Sequence, residues 1–225
     1  MARAPRPGRR GLLITLEGGE GAGKTTQVRL LAARLAQLGL EVEITRQPGG
    51  TSLGSDLRKL LLTHQDQAPV PQAELFLYLA DRAQHAAQVI VPALEAGRVV
   101  LCDRYADSSE VYQGRVRGLG LELVHELNQW ILGAYAWPDR TLLLDLDPAV
   151  GLGRVRRRGD AAGPDRLESE DLSFHQSLRE AYLAQAAADP ARFRIIPAHQ
   201  EPAAVAGLVW AAVETLVQLW KSHAP

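Results

Sequence analysis

The sequence is poor in cysteine and aromatic residues and has no excess of charge of either sign. Its single cysteine among 225 residues excludes a disulfide framework, and Cys102 falls in the apolar run 99–102, where we expect a buried structural thiol. This composition fits a reducing compartment, so we expect a cytoplasmic protein. Lysine and arginine total 25 against 26 acidic residues, a balance that argues against general binding to nucleic acid. Any anion site must therefore be local.

The sequence also lacks a long apolar run directly after its N-terminal segment. Residues 1–10 are basic and proline-rich, and we expect no signal-peptide core or membrane span to follow them. We expect these residues to form a disordered basic arm. Residues 11–225 are expected to form one domain without a membrane segment, because a chain of 225 residues that is 46% hydrophobic can bury one sizeable core.

A glycine-rich octapeptide is the strongest motif that is present. Residues 18–25 read Gly-Gly-Glu-Gly-Ala-Gly-Lys-Thr and fit the phosphate-loop pattern G-x-x-x-x-G-K-[ST], between an apolar run typical of a buried strand and a helical pattern. Backbone that wraps around an anion needs the conformational freedom of glycine, and the following helix adds its positive end. Lys24 is expected to reach the terminal phosphates of a nucleotide, and Thr25 to offer its hydroxyl to Mg²⁺.

The predicted ATP-binding residues are Gly18, Gly19, Glu20, Gly21, Ala22, Gly23, Lys24, Thr25 and Thr26. The alternative is a glycine-rich turn with a surface lysine, but such a turn would not require Lys-Thr directly after the last glycine.

Apolar periodicity predicts that strands and helices alternate along the chain. Strands are predicted at residues 12–16, 41–45, 99–103, 141–146 and 193–196. The predicted helices are 24–38, 53–61, 72–91, 108–113, 121–132, 148–158, 171–187 and 202–220, with a kink or break at Pro92. Such alternation predicts an α/β fold of the P-loop NTPase type, with three α/β/α layers around a five-stranded parallel sheet.

Two arginines follow predicted strands and are expected to meet at one edge of this sheet. Arg46 ends the second strand and Arg104 follows Asp103 at the end of the third, so both lie beside the phosphate loop. Arg46 could instead be a solvated loop residue, and Asp103 with Arg104 could form a structural ion pair. A carboxylate that ends a strand beside a phosphate loop commonly holds Mg²⁺, so Thr25 and Asp103 are the predicted metal-binding residues.

An aromatic ring and a guanidinium share one face of the long predicted helix. Tyr78 lies one turn before Arg82, an arrangement that suits stacking on a base and hydrogen bonding to its carbonyl edge. Tyr78 could equally be a core residue, because Leu75, Phe76 and Leu79 surround it in the sequence.

Together with the phosphate loop, these segments resemble the thymidylate kinase family, whose members phosphorylate dTMP with ATP. The phosphate loop is generic to a superfamily, whereas Arg-x-Pro-Gly-Gly-Thr and Asp-Arg-Tyr followed by Tyr-Gln-Gly are much more specific. The segments that carry the resemblance are 16–26, 45–51, 81–82, 103–114 and 165–168. The resemblance implies a nucleoside monophosphate kinase-like fold, with Mg²⁺ as cofactor. The implied reaction transfers the γ-phosphoryl group of ATP to dTMP, giving dTDP and ADP in dTTP synthesis for DNA replication.

The resemblance also assigns residues to the acceptor nucleotide. Glu20 is similar to the acidic residue that faces the deoxyribose, Tyr78 to the ring beneath thymine, and Arg82 to the group that contacts the base carbonyl. A ring at Tyr112 packed against C2′ would leave no room for a ribose hydroxyl. Residues similar to those that line the acceptor phosphate site are Arg46, Arg58 and Arg104. The complete predicted substrate-binding set is Glu20, Arg46, Arg58, Tyr78, Arg82, Arg104, Ser108, Ser109, Tyr112 and Gln113.

The family divides by the location of its catalytic arginine. Gly21 occupies the phosphate-loop position that carries arginine in one branch, so the chain resembles the lid-arginine, bacterial branch. A mobile lid is expected at about residues 154–168, and its arginines are Arg154, Arg156, Arg157, Arg158 and Arg166. Arg158 is the predicted catalytic lid residue, because it precedes the hinge-like stretch 159–164; a solvated basic helix face is the alternative.

One residue departs from the family pattern. The bacterial loop normally reads Arg-Glu-Pro-Gly-Gly-Thr, and Gln47 stands here where glutamate is expected. This puts in doubt any role for a carboxylate at that position, although glutamine can still accept a hydrogen bond.

The expected chemistry needs no catalytic base. A phosphate monoester has a second pKa of about 6, so the acceptor is mostly a dianion at neutral pH and needs only alignment and charge neutralisation. Lys24, Arg104 and Arg158 are the predicted catalytic residues. A deoxynucleoside kinase would need a carboxylate base and would have less use for Arg46 and Arg58. A GTP-binding switch usually carries Asn-Lys-x-Asp, which does not occur here.

Partners are expected to be few. The resemblance implies a homodimer as well as binding of dTMP and ATP, and the helices after residues 72 and 121 carry enough apolar surface for one. Such faces are more often intramolecular core, so the sequence leaves the oligomeric state open. No nucleic-acid or membrane partner is expected.

Overall fold

The computed structural model describes residues 10–64, 68–158 and 165–222, and the side chain of Arg158 lies outside the description. The expected disordered arm therefore falls, apart from Arg10, outside the described residues. The same is true of the hinge-like stretch 159–164.

The described residues form one five-stranded sheet in which every pairing is parallel. The strands are β1 Leu12–Glu17, β2 Val42–Arg46, β3 Val99–Asp103, β4 Arg140–Asp145 and β5 Phe193–Pro197, in the spatial order β2-β3-β1-β4-β5. Every residue of β1 is buried, as expected for a strand covered by helices on both faces. The predicted three-layer α/β fold is confirmed.

Helices connect the strands, and two π-helical segments, Ala86–Ile90 and Glu110–Val116, extend them. The α-helices are α1 Lys24–Gln37, α2 Ser52–Leu62, α3 Pro71–His85, α4 Val91–Glu95, α5 Ala106–Ser109, α6 Leu121–Leu132, α7 Pro148–Arg158, α8 Leu172–Ala188 and α9 Pro202–Ser222.

Of the kink or break expected at Pro92, the break does not occur. The helical backbone runs from α3 through the π-helical segment Ala86–Ile90 into α4, where Pro92 occupies the first turn. Pro92 has no N–H to donate, and the wider π turn before it is the type of distortion that accommodates a proline within a continuous helix. The long helix therefore continues to Glu95.

The two faces of the sheet bury separate clusters because alternate strand residues point in opposite directions. Ile14 and Leu101 pack with α1 and α9 on one face. Leu13 and Cys102 pack with α4 on the other face. Burial raises the pKa of the Cys102 thiol well above its usual range, in agreement with a structural role.

Helix α9 is long and apolar enough to cross a membrane by length and composition alone. Its buried residues Val205, Val209, Val213 and Val217 recur every four positions and belong to the cluster around α1 and β1. This stripe is typical of an amphipathic helix that packs on a sheet.

Two glycines allow α7 to lie directly against the phosphate loop. A Cβ atom at Gly21 would lie 2.2 Å from the carbonyl oxygen of Gly151, and one at Gly151 would lie 2.2 Å from that of Glu20. Gly21 also has a φ of 67°. A side chain at Gly21, including an arginine, would therefore require α7 to move.

Candidate active site

A cavity of about 910 Å³ lies at the carboxyl edge of the sheet. It opens beside the phosphate loop because β1, β2 and β3 run parallel and end at that edge. The predicted residues that line it are Glu20, Gly21, Ala22, Gly23, Lys24, Thr25, Thr26, Arg46, Arg58, Tyr78, Arg82, Asp103, Arg104, Ser108, Ser109, Tyr112, Gln113 and Arg154.

The phosphate loop holds the ammonium group of Lys24 over its own backbone. Lys24 Nζ donates to the carbonyl oxygens of Gly18 at 3.0 Å and Gly19 at 2.8 Å. Burial lowers the pKa of Lys24, and the positive charge of Arg104 lowers it further. The left-handed Gly23, with a φ of 92°, precedes the first turn of α1, whose backbone N–H groups lack intrahelical acceptors. The loop thus presents a cation and a helix N-terminus to one space.

The predicted metal-binding pair is brought together across two neighbouring strands. Thr25 Oγ1 donates to Asp103 Oδ2 at 2.6 Å, because β1 and β3 pair with Leu16 opposite Asp103. A hydroxyl and a carboxylate are hard oxygen donors of the type that Mg²⁺ prefers. Within the described ranges, no three His, Cys, Asp or Glu side chains form a metal-binding group.

Arg104 pairs with the phosphate loop and not with its neighbour in sequence. Its Nη2 lies 2.5 Å from Glu20 Oε1, and its Nη1 donates to Gly18 O at 3.1 Å. No ion pair between Asp103 and Arg104 occurs among the described residues. Burial opposes ionisation of Glu20, but Arg104 and Lys24 outweigh it and lower the pKa of Glu20 to about 2. Glu20 and Arg104 therefore stay charged across the physiological range.

Glu17, which the sequence analysis did not single out, holds the residues that follow Arg104 in place. Its Oε1 accepts from the backbone N–H of Tyr105 at 2.7 Å, and its Oε2 accepts from Ser108 Oγ at 2.6 Å and Tyr182 OH at 3.0 Å. Burial, followed by the negative charge of Asp107, raises the pKa of Glu17 to about 7. The signal available in the sequence was a carboxylate directly after the predicted buried strand 12–16.

The predicted base-contacting residues occupy different environments. Tyr78 is half-buried and lines the cavity, whereas its neighbours Leu75 and Leu79 are buried, so Tyr78 is not a core residue. Arg82 also lines the cavity but is only 1% exposed. Its guanidinium donates to Gln47, Asn128, Ser109 and the carbonyl of Tyr105.

Two more arginines stand side by side on the same wall. Arg46 is exposed at the end of β2, and Arg58 reaches back from α2 to donate to Pro48 O at 3.1 Å. Burial lowers the pKa of Arg58, and the like charge of Arg46 lowers it further. Two cations that face one cavity repel each other until an anion lies between them.

The helix after β3 supplies the remaining predicted contacts. Tyr112 OH donates to Glu20 Oε1 at 3.1 Å, and its ring centroid lies 5.4 Å from the Arg104 guanidinium carbon. Gln113 Nε2 donates to the buried Glu74 at 2.8 Å, while Ser109 serves Arg82. Most of these polar groups therefore also hold the walls of the cavity together.

The predicted lid arginines divide into separate groups. Arg154 Nη1 contacts the carbonyl oxygens of Gly21 at 3.3 Å and Ala198 at 3.1 Å. Arg166 pairs with the buried Glu74 and does not line the cavity. Arg156 and Arg157 are exposed and also lie outside the cavity lining, and the Arg158 side chain is outside the described residues.

Sequence reasoning missed one whole wall of the cavity. The loop between β5 and α9 lines it together with Val155 of α7 and Pro202 at the start of α9, and this loop contributes Ala198, His199, Gln200 and Glu201. The residues of this wall have no distinctive spacing, so only the packing of β5 beside β4 reveals them.

The parallel sheet and the phosphate loop define an α/β protein of the phosphate-loop class, and the facing arginines give its cavity a second cationic wall. The family model described as thymidylate kinase matches residues 16–208. The chain is 52% identical over 210 residues to the thymidylate kinase of Solidesulfovibrio magneticus, and the aligned region covers 92% of this chain and 100% of the relative. It is 49% identical over 203 residues to that of Deinococcus radiodurans, covering 90% and 96%.

A solved structure of thymidylate kinase from Ehrlichia chaffeensis matches the fold with a TM-score of 0.73 at 28% identity, over 91% of this chain and 99% of that one. The chain therefore belongs to the thymidylate kinase family.

The raised pKa of Glu17 predicts a specific pH dependence of stability. Because the folded state binds a proton that the unfolded chain releases, the wild type should lose stability as the pH rises from the ordinary carboxyl range to about 7. Glu17→Gln keeps an oxygen acceptor and has no proton to lose. The Tm of this variant relative to wild type should increase between about pH 5 and about pH 8.

Thermal melts across that range test the prediction, with Glu95→Gln, at an exposed glutamate of α4, as the charge-matched control. Parallel Tm profiles for wild type and Glu17→Gln would show that Glu17 does not take up this proton.

Proposed function

We infer that the protein transfers the γ-phosphoryl group of ATP to dTMP, giving dTDP and ADP in the synthesis of dTTP for DNA replication. The observation that carries this inference is one cavity that joins the phosphate loop to a wall of arginines. Membership of the thymidylate kinase family also supports this inference, because the family match, residues 16–208, includes every residue that lines the cavity.

We propose that ATP occupies the half of the cavity between the phosphate loop and the β5–α9 loop. The backbone N–H groups of the loop and the start of α1 would receive the phosphates, and Lys24 Nζ would leave two carbonyl oxygens to neutralise them. Arg154 lies between this loop and Ala198, where a planar guanidinium can stack on the adenine ring.

The acceptor dTMP is proposed to occupy the other half. Its phosphate would lie among Arg46, Arg58 and Arg104, whose mutual repulsion a dianion relieves. Thymine would stack on Tyr78 beside Arg82, within reach of Ser108, Ser109 and Gln113. Glu20 and Tyr112 share a hydrogen bond and would face the deoxyribose.

The residues of the chain would act by alignment and charge neutralisation. The acceptor phosphate enters as a dianion, so no side chain has to remove a proton before attack. Lys24 and Arg104 would stabilise the charge on the transferred group from two sides. Thr25 and Asp103 fit Mg²⁺ as oxygen donors and would hold it with nucleotide and water oxygens, and the ion would supply further charge neutralisation.

We propose that the lid supplies the remaining charge, through Arg158. Gly21 cannot carry an arginine without displacing α7, which supports a source outside the phosphate loop. Arg154 is engaged with two carbonyl oxygens and Arg166 with Glu74, so neither is the favoured candidate. Closure of a mobile lid over the nucleotides would exclude water and prevent hydrolysis of ATP.

Lys24→Ala should lower kcat by on the order of a hundredfold or more, because a cation at the transferred phosphate stabilises the transition state. Coupled assays of ADP formation with dTMP, dUMP, TMP and thymidine measure this loss and the choice of acceptor. Lys221→Ala, on exposed surface of α9, is the control and should retain full activity. Activity above about a tenth of wild type in Lys24→Ala would contradict this role, and phosphorylation of thymidine would favour a nucleoside kinase.

Arg158→Ala should lower kcat by about a hundredfold with little change in either KM, since a transition-state contact affects turnover and not ground-state binding. Arg156→Ala and Arg157→Ala serve as controls on the same basic helix. If none of the alanine variants of the five lid arginines lowers kcat even tenfold, the lid is not the source of catalytic charge.

We propose that the protein is a homodimer formed through α3 and α6. These helices pack on each other through Leu75, Leu79 and Val124, and their outer surface exposes Phe76 by 64% and Trp130 by 84%. A two-fold axis through this surface would bury the same apolar patch from both copies.

Trp130→Glu should convert the dimer to a monomer, because a buried unpaired carboxylate opposes association. Light scattering behind size-exclusion chromatography measures the mass of each variant. Leu30→Glu, at a position 40% exposed on α1 on the opposite face of the sheet, is the matched control and should stay dimeric. A monomeric wild type, or a dimeric Trp130→Glu, would reject this interface.

We also propose a cytoplasmic location without nucleic-acid or membrane partners. The free buried thiol and the near balance of 25 basic and 26 acidic residues support this proposal. Recovery of the protein in a membrane pellet after cell fractionation would contradict it.

A further inference from the structure

Gln47 lies at the end of β2, next to the wall proposed to receive thymine. It is 3% exposed and its backbone N–H donates to Asp103 O at 3.0 Å, which fixes its backbone at the edge of the sheet. The side chain reaches two buried groups of α3. Gln47 Oε1 accepts from Arg82 Nε at 3.0 Å, and Gln47 Nε2 lies 3.1 Å from His85 Nδ1.

The contacts of Arg82 leave one donor for a ligand. A guanidinium has five N–H groups. Nη2 donates to Tyr105 O and Ser109 Oγ, each at 3.0 Å, and Nη1 donates to Asn128 Oδ1 at 2.8 Å. With Nε held by Gln47, the second N–H of Nη1 has no partner among the residues that the structure describes. Since Arg82 lines the cavity, this N–H is the donor available to a base.

The amide of Gln47 determines which ring nitrogen of His85 carries the proton. Because its oxygen faces Arg82, its nitrogen faces the imidazole and can only donate, so His85 Nδ1 must be an acceptor. The proton then lies on Nε2, which is 2.6 Å from Thr45 Oγ1. Burial, followed by the charge of Arg82, lowers the pKa of His85 to about 4 and keeps the ring neutral.

The loop after β2, residues 47–51, packs over Gln47 and His85. A Cβ atom at Gly50 would lie 2.4 Å from His85 Nε2 and 2.8 Å from Thr45 Oγ1. Gly50 therefore packs closely against the imidazole, and the amide of Gln47 satisfies both Arg82 and a neutral His85 with its oxygen towards Arg82 and its nitrogen towards the ring.

We propose that Gln47 is a positioning residue for base selection, held by neutral His85 so that it orients Arg82 towards the carbonyl edge of a pyrimidine. The proposal rests on the inferred thymidylate kinase activity and deepens it. An arginine N–H donor pairs with the 4-carbonyl of thymine and opposes the 4-amino group of cytosine, which is itself a donor. Correct orientation of Arg82 should therefore favour dTMP over dCMP.

Gln47→Met removes the acceptor for Arg82 Nε while keeping the side-chain length. We expect KM for dTMP to rise by about tenfold or more, with kcat and KM for ATP within about threefold of wild type. The ratio of kcat/KM for dTMP to that for dCMP should fall by about tenfold. Steady-state kinetics with both acceptors measure these changes.

Gln47→Glu should restore the acceptor for Arg82 and hence the preference for dTMP. A carboxylate cannot donate to His85 Nδ1, so the imidazole should take up a proton there and its pKa should rise. Two-dimensional ¹⁵N–¹H NMR of the imidazole should show Nε2–H in wild type and a proton on Nδ1 in Gln47→Glu.

Thr51→Val is the matched control within the same loop. Thr51 Oγ1 accepts from Gly54 N at 2.9 Å and caps α2 without contact to Arg82. Its loss should lower Tm and leave the ratio of dTMP to dCMP unchanged.

An unchanged ratio in Gln47→Met, or equal rises in KM for dTMP and ATP, would overturn the proposal. A wild-type His85 that carries its proton on Nδ1 would also overturn it, and this measurement decides the case if Gln47→Met fails to fold. Absence of dTMP turnover by the wild type would instead reject the proposed function, whereas the NMR result would still report the contacts of Gln47.

Discussion

The backbone N–H of Arg104 donates to the carbonyl oxygen of Leu16 at 3.0 Å. This hydrogen bond joins the end of β3 to the end of β1, directly before the phosphate loop. It extends the parallel register of β1 and β3, which sets Leu16 opposite Asp103. Two pairs follow from this register, Thr25 with Asp103 and Glu20 with Arg104. The two halves proposed for ATP and dTMP thus meet at one strand pair, and a slip of one residue would separate both pairs.

Buried polar groups below the cavity keep the arginines in place. Glu17 holds the segment after β3 through Tyr105 and Ser108 and also accepts from Tyr182 of α8. Arg82 joins α3 to that segment through Tyr105 O and to α6 through Asn128. A buried donor or acceptor that loses its partner costs free energy. Each of these hydrogen bonds therefore limits the conformations that its two residues can adopt. The result is a hydrogen-bonded wall on the side of the cavity where dTMP is proposed to bind.

The approach of α7 to the phosphate loop links that wall to the proposed source of catalytic charge. Gly21 and Gly151 allow the backbones to touch, and the same contact leaves no space for an arginine in the loop. Helix α7 then carries Arg154 to the carbonyl oxygens of Gly21 and Ala198. Compact glycine packing therefore excludes an arginine from the phosphate loop and agrees with the proposed lid source of catalytic charge.

Local patterns in the sequence were sufficient for the fold and for much of the cavity. The alternation of apolar strands and helices predicts the parallel sheet, and the carboxyl ends of parallel strands predict that Lys24, Arg46 and Arg104 converge, because strand direction fixes which edge they share. Those arguments need only spacing along the chain. The continuation of the helix through Pro92 was missed because a π-helical turn has no clear sequence signal.

Only the tertiary structure decided which polar groups meet across long separations. Arg166 pairs with Glu74, 92 residues away, and Glu17 accepts from Tyr182, 165 residues away. The contacts of Gln47 with Arg82 and His85 likewise depend on how α3 lies against the end of β2. Residue type and spacing identify which groups must find partners when buried, but the packing of helices on the sheet decides which partners lie within hydrogen-bonding distance.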